Sequence, residues 1–133
     1  MAVVPFETKQ ATEDFDVVAP DGSGIRVLPR LARGSLARGT LAAGSTSRAI
    51  RHQTVDEIWY VLSGSAEIWR ANSDFEEVVK VAAGDSLTIP VGTGFQFRTI
   101  GDVAFEFVMC TMPPWPDADE AIYIEGFWSG VGE

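Results

Sequence analysis

One histidine and one glutamate stand five residues apart at the start of the chain's most apolar segment. His52 is the only histidine in the sequence, and Glu57 directly precedes the run IWYVL at positions 58–62. An imidazole and a carboxylate at this spacing suit three roles: a metal site, a general acid–base pair, or an inert polar contact in the core. Which role applies depends on the elements that position the two side chains.

Composition limits the class of protein. The chain has 133 residues, of which 46% are hydrophobic, and this suits one globular domain over residues 1–133 with a single core. Ten Lys and Arg stand against nineteen Asp and Glu, for a net charge of −9. This balance disfavours nucleic acid and anionic membranes as partners, because both bind through basic surfaces that neutralise phosphate.

Cysteine use and the apolar runs indicate the compartment. Cys110 is the single cysteine, which excludes an internal disulfide and a cysteine-based metal cluster. Residues 1–10 lack the basic start and long apolar stretch of a signal peptide, and no apolar run approaches the roughly 18 residues of a membrane span. We therefore expect a protein of the reduced cytoplasm.

Short apolar segments separated by turn residues predict an all-β fold. The segments rich in β-branched and aromatic residues are 58–62, 66–70, 75–81, 86–90, 95–100 and 103–112. Turn sequences such as SGS, AAGD and PVGTG separate them. Several short strands at this spacing are typical of an antiparallel sandwich or barrel.

The flanking regions are less regular. Residues 15–19 and 25–28 surround a turn cluster, and the glycine-rich stretch 31–44 is predicted as strand and loop. A helix there would carry three glycines, each about 1 kcal/mol less favourable than alanine. After Met112 the sequence PPWP ends the strand pattern, and we expect the tail to pack across the body or on a partner subunit.

Two motifs resemble those of the cupin superfamily. The first has Gly44, Ile50, His52, Glu57 and Gly64 at the spacing of the first cupin motif. The resemblance implies a cupin double-stranded β-helix, a jelly-roll barrel, from about residue 26 to 112, with terminal extensions packing on it or on a partner subunit. The tail also resembles that of small single-domain cupins whose activity is generally unassigned.

The second motif has Gly84, Pro90, Gly92, Phe95 and Thr99 at the expected spacing. The family's metal site takes two histidines and a glutamate from the first motif and a histidine from the second, so the resemblance implies four ligand positions.

Two of the four ligand positions carry apolar residues in this chain. Ile50 stands at the first histidine position and Phe95 at the histidine position of the second motif, so only His52 and Glu57 remain. A divalent metal normally takes three or four protein ligands, and the chain has no other histidine. We expect no cofactor and no catalytic metal; any metal would bind through His52, Glu57 and an atypical third donor.

Alternation along strands predicts which side chains face the barrel interior. If His52 points inward, Arg48 and Ile50 share its face, and Glu57, Trp59 and Val61 form the inner row of the next strand. An inward guanidinium at position 48 needs a carboxylate or an anionic ligand, and a salt bridge at the barrel mouth is the alternative. Trp59, Phe95 and Phe97 are more typical of a packed core than of an aromatic cage that binds a ligand. His52 and Glu57 suit a residual polar pair in the core nearly as well as a contact with a ligand. The predicted ligand-binding residues are Arg48, Ile50, His52, Glu57, Trp59, Phe95 and Phe97.

Three functional hypotheses remain open. The first is a cupin that binds a small organic, anionic or aromatic molecule without chemistry. The second is a metal-independent isomerase or epimerase with His52 and Glu57 as catalytic residues. The third is a metal-dependent oxygenase or isomerase with an atypical ligand set. Because the segment 58–62 is apolar on both faces, we also expect a homodimer.

Overall fold

The structure, a computed structural model, describes residues 3–116 and 118–129. Within these ranges the chain forms two antiparallel sheets and one short 3₁₀ turn at Ala118–Glu120. The predicted all-β fold of antiparallel strands is confirmed. None of the described segments is a helix with the length and apolar character needed to cross a membrane.

The strands are numbered in chain order. Their bounds are β1 Val17–Val18, β2 Gly24–Leu31, β3 Gly34–Leu41, β4 Ile50–His52, β5 Asp56–Ser63, β6 Ser65–Ala71, β7 Glu76–Ala82, β8 Ser86–Ile89, β9 Gly94–Ile100, β10 Phe105–Met112 and β11 Ala121–Tyr123. The first sheet has the order β1-β2-β3-β10-β5-β8, and the second has the order β11-β4-β9-β6-β7. The sheets thus include two short strands outside the predicted 26–112 barrel: β1 precedes it in the sequence and β11 follows it.

Alternation of side chains builds the interior of the barrel. Along β5, Glu57, Trp59 and Val61 are buried and the residues between them are exposed, so the predicted inward row is confirmed. On β10, Phe105 and Phe107 face inward in the same way. The six predicted strands from residue 58 onward match the observed ones to within two residues at each end.

Aromatic rings fill the middle of the barrel. Trp59 stacks on Phe107 with ring centroids 4.0 Å apart, and Phe97 meets both rings edge-on at 5.1 and 5.6 Å. Offset-stacked and edge-to-face contacts of this kind stabilise a core beyond the area that they bury. Trp59 and Phe97, both predicted as ligand contacts, therefore lie in a packed core with rings on either side.

The C-terminal segment covers the outer face of the second sheet. Gln96 lies on that face, and its side-chain amide bonds the backbone carbonyls of Ser47 and Trp128 and the backbone N–H of Trp128. Phe127 stacks on Trp69 at 5.9 Å. The tail packs on the body of its own chain, one of the two expected arrangements, and this explains why the outward-pointing Gln96 is buried.

The contact between Gly39 and Phe107 excludes a larger side chain at position 39 of β3. Gly39 pairs with Phe107 across β3 and β10, and a Cβ at Gly39 would collide with the phenyl ring. We predict that Gly39→Ala lowers the free energy of unfolding by about 1–3 kcal/mol, as measured by urea denaturation, because the ring must leave its stacked position. In a Phe107→Leu background the same change should have a smaller effect. An equal effect in both backgrounds would contradict this explanation.

Candidate functional site

The four motif positions meet at one end of the barrel. Ile50 on β4 pairs with Phe95 on β9, and the ring of His52 lies edge-on to Phe95 with centroids 5.3 Å apart. Glu57, at the start of β5 in the other sheet, places Oε2 3.8 Å from His52 Nδ1. The two motifs, far apart in the sequence, therefore converge on one site.

His52 and Glu57 are both almost completely buried. Each side chain is 3% exposed. Glu57 Oε1 accepts a hydrogen bond of 2.7 Å from Trp59 Nε1, so the indole fixes the carboxyl group. The 3.8 Å separation exceeds hydrogen-bond length, and His52 Nδ1 has no hydrogen-bond partner among the described residues. The site thus holds one anchored carboxyl group and one imidazole nitrogen whose bonding capacity is unused.

Burial controls the charge state of this pair. Burial lowers the pKa of His52 to about 4, although the negative charge of Glu120 opposes the shift. Burial likewise raises the pKa of Glu57 to about 8 against the hydrogen bond from Trp59, and the acidic side chains of Asp21 and Glu120 add to the rise. Near neutral pH the imidazole is therefore uncharged and the carboxyl group is protonated.

The C-terminal segment contributes two residues that sequence reasoning missed. Trp115 meets the His52 ring edge-on with centroids 5.1 Å apart, and its backbone N–H donates to Ser35 Oγ at 3.1 Å. The carboxylate of Glu120 accepts bonds from Thr54 and from the backbone N–H of Val55, in the loop that follows His52. The tail thus packs over this end of the barrel. The PPWP sequence places a tryptophan where the strand pattern ends, but it gave no sign that this side chain contacts His52.

Arg48 lies just before β4, whose regular strand begins at Ile50, and its side chain is partly exposed. Its guanidinium carbon lies 3.6 Å from the ring centroid of the half-exposed Tyr123, a cation–π contact at the edge of the second sheet. The alternative for this arginine, a salt bridge with Glu57 or another acid, is not formed among the described residues. Its role as a ligand contact stays a prediction.

Arg70 lies on the inner face of the second sheet. It pairs with Phe95 across β6 and β9, and Ile68 on the same face pairs with Phe97. Its Nη1 donates to the carbonyl of Thr88 at 2.8 Å, and its Nη2 contacts Glu77 Oε2 at 3.0 Å. Alternation counted from Ile68, in a strand that the sequence did predict, would have identified Arg70.

The donor set does not fit a resident divalent metal. Among residues 3–116 and 118–129, no group of three or more His, Cys, Asp or Glu side chains is placed to hold an ion. His52 and Glu57 supply two donors, and the other two motif positions present the apolar side chains of Ile50 and Phe95. Two donors in an apolar setting are fewer than a structural or catalytic metal site provides.

Comparisons with known proteins agree with the fold. An uncharacterized protein of Methanocaldococcus jannaschii is 33% identical over 118 residues, covering 82% of this chain and 91% of the relative. Oxalate decarboxylase of Bacillus subtilis superimposes with a TM-score of 0.66 at 18% identity, over 80% of this chain and 29% of that one. The capsular polysaccharide assembling protein CapF of Staphylococcus aureus gives 0.66 at 19%, over 78% and 30%.

A neighbour of similar size has the same architecture. An uncharacterized conserved protein with a double-stranded β-helix domain from Klebsiella pneumoniae superimposes with a TM-score of 0.63 at 20% identity, covering 78% of this chain and 85% of that one. The chain spans about three tenths of the oxalate decarboxylase and CapF chains, so these two likenesses concern the fold of one barrel. The cupin domain family itself matches residues 37–111. The chain therefore belongs to the cupin family.

Proposed function

We propose that this cupin binds a small organic molecule at the barrel end occupied by His52 and Glu57, and that it does so without a resident catalytic metal. The observation that carries the proposal is the unused Nδ1 of His52, buried 3.8 Å from the Glu57 carboxyl group. Buried polar groups normally have partners, and a few convergent polar groups among apolar walls are typical of ligand sites.

The charge state of the pair supports a neutral, hydrogen-bonding ligand. A protonated carboxyl group donates one hydrogen bond, and a neutral imidazole has one donor nitrogen and one acceptor nitrogen. The aromatic rings of Phe95 and Trp115 on two sides of the imidazole provide apolar contact for the ligand. Because Trp115 packs on His52 from the tail, a ligand must displace the tail to reach the imidazole.

A metal-independent isomerase or epimerase is the second candidate. The favouring observation is that the two pKa values are displaced in opposite directions, to about 4 for His52 and about 8 for Glu57. Near neutral pH this gives an unprotonated base beside a protonated acid, as proton transfer in both directions requires. Tyr60, a conceivable partner acid, points outward and is half exposed.

A homodimer is proposed separately from the ligand site. Ile58, Tyr60 and Leu62 project from the outer face of β5, and Leu36 projects from the same face of the sheet; all four are exposed in the single chain. A face of this kind is typical of an interface, and a twofold dimer would bury it symmetrically.

We predict substoichiometric Fe, Mn, Ni, Cu and Zn in protein purified without chelator, as measured by elemental analysis. The matched variant restores both missing imidazoles, Ile50→His with Phe95→His, and should take up about one equivalent of a divalent metal because the four motif positions converge. Stoichiometric metal in the wild type that is lost in His52→Ala would contradict the proposal.

The single histidine allows a direct test of the neutral pair by NMR. We predict that the imidazole ¹⁵N shifts of His52 remain those of the neutral ring from pH 8 down to about 5, and that protonation follows near pH 4 because burial disfavours the imidazolium. Titration close to the ordinary value of about 6.5 would contradict this.

The same NMR signals test ligand binding. Among neutral, hydrogen-bonding aromatic fragments, we expect some to shift the His52 resonances in the wild type. Calorimetric titration of the same fragments should show weaker binding in His52→Phe, which has no imidazole signal, and unchanged binding in the surface control Val78→Ala. The variant Trp115→Ala should bind the fragments with a higher association rate, because the indole ring that packs on His52 is removed. If no fragment shifts His52 even in Trp115→Ala, the site does not bind ligands and the proposal fails.

Oligomeric state is tested by light scattering. We predict a dimer of 14.4 kDa chains that dissociates in Tyr60→Glu, since a charge at the centre of the apolar face opposes its burial. The control Val78→Glu, at an exposed position of the second sheet, should remain dimeric. A monomeric wild type would overturn the prediction.

A further inference from the structure

A second concave site lies where the two sheets meet near β7 and β8. It is a groove of about 150 Å³. Its lining includes Arg70, Asn72, Phe75, Glu77, Thr88 and Thr93. Neither His52 nor Glu57 belongs to the lining, so the groove is distinct from the imidazole–carboxyl site.

Arg70 gives the groove a positive charge that is weakly neutralised. The carboxylate in contact with it is Glu77, whose side chain is 60% exposed and lies 3.0 Å from Nη2. An exposed ion pair of this kind contributes little to stability because water screens it. The second contact, from Nη1 to the carbonyl of Thr88, holds the guanidinium across the gap between the sheets. A ligand carboxylate can therefore replace Glu77 without loss of the anchoring bond.

Two polar atoms at the groove have unused bonding capacity. The hydroxyl of Thr93, a residue that is 4% exposed, has no hydrogen-bond partner within the described part of the chain, and the same holds for Arg70 Nε. The Nε–H and one Nη–H of an arginine form the paired donors that bind a carboxylate in two places. Buried donors left unpaired are unfavourable, so a small rotation that exposes them to a ligand gains hydrogen bonds.

The rim of the groove is apolar and held in place. Phe75 is 76% exposed, and Pro90 lies on the facing side of the lining. Asn72 Oδ1 accepts the backbone N–H groups of Asp74 and Phe75, which orders the turn that carries the phenyl ring. An exposed aromatic ring beside a guanidinium suits a ligand with an apolar body and one anionic end.

We propose that this groove binds a small monocarboxylate with an apolar body, about the size of a benzoate ion, with Arg70 holding the carboxylate, Thr93 bonding it, and Phe75 packing on the body. The inference extends the proposed small-molecule function to a second site. It does not depend on His52 or Glu57, the polar residues of the first site.

The test is calorimetric titration of the whole protein with benzoate, with the neutral benzamide and with acetate. Benzoate should bind more tightly than acetate, which lacks the apolar body, and about tenfold or more tightly than benzamide, since hydrogen bonds to charged groups are the stronger ones. Arg70→Gln should weaken benzoate binding about tenfold or more. The matched control is Arg98→Gln, which breaks the Arg98–Glu67 pair on the outer face of the same sheet and should leave the affinity unchanged.

Glu77→Gln decides between a ligand site and a purely structural ion pair. If a ligand carboxylate competes with Glu77, this variant binds benzoate several-fold more tightly; unchanged or weaker affinity overturns the proposal, even if Arg70→Gln fails to fold. Equal binding of benzoate and benzamide, equal losses in Arg70→Gln and Arg98→Gln, or no benzoate binding also overturns it. His52→Phe should leave benzoate affinity intact, so failure of this inference and failure of the His52 site are separately visible.

Discussion

The exclusion of water from the barrel end at His52 determines which charge states His52 and Glu57 favour. A charge in that position lies among aromatic rings, and little of its lost hydration is replaced. In a cupin with a complete ligand set, a bound dication would hold the glutamate in its ionised form. Here Ile50 and Phe95 stand at two of the four motif positions, and the described part of the chain offers no group of three or more donors for a compensating cation. Because uncharged groups lose less hydration on burial than ions do, burial favours the neutral imidazole of His52 and the protonated carboxyl group of Glu57. In these forms the two side chains can form hydrogen bonds in place of binding an ion.

The same packing connects the site to the core. Trp59 donates its indole N–H to Glu57 and stacks its ring on Phe107, which in turn lies over Gly39. Because each of these contacts constrains the next, the orientation of the carboxyl group depends on the aromatic core two strands away. A protonated carboxyl group held by one donor keeps its second oxygen available toward His52, which is the arrangement that a ligand or a proton transfer would use.

Sequence patterns predicted the parts of this structure that depend on local periodicity. Motif spacing located the four converging positions, and alternation gave the inward row of β5, because both follow from regular extended backbone. The period of two predicts the side of Arg48 less directly, because regular strand begins only at Ile50. Trp115 was missed by these patterns. Its contact with His52 spans more than sixty residues and depends on how the tail crosses the barrel, which no local pattern encodes.

His52 and Arg70 differ in their surroundings within one small domain. His52 lies under Trp115 and burial favours its neutral form, whereas Arg70, near the end of β6, lies beside the exposed carboxylate of Glu77. Arg70 is a cation in a protein of net charge −9. An acidic surface repels anions at long range, so any anion that binds must be held by short-range contacts at a specific cation. In the two sites that we propose, a ligand of the groove would therefore be selected by paired donors and an aromatic wall, and a ligand of the barrel end by the absence of water.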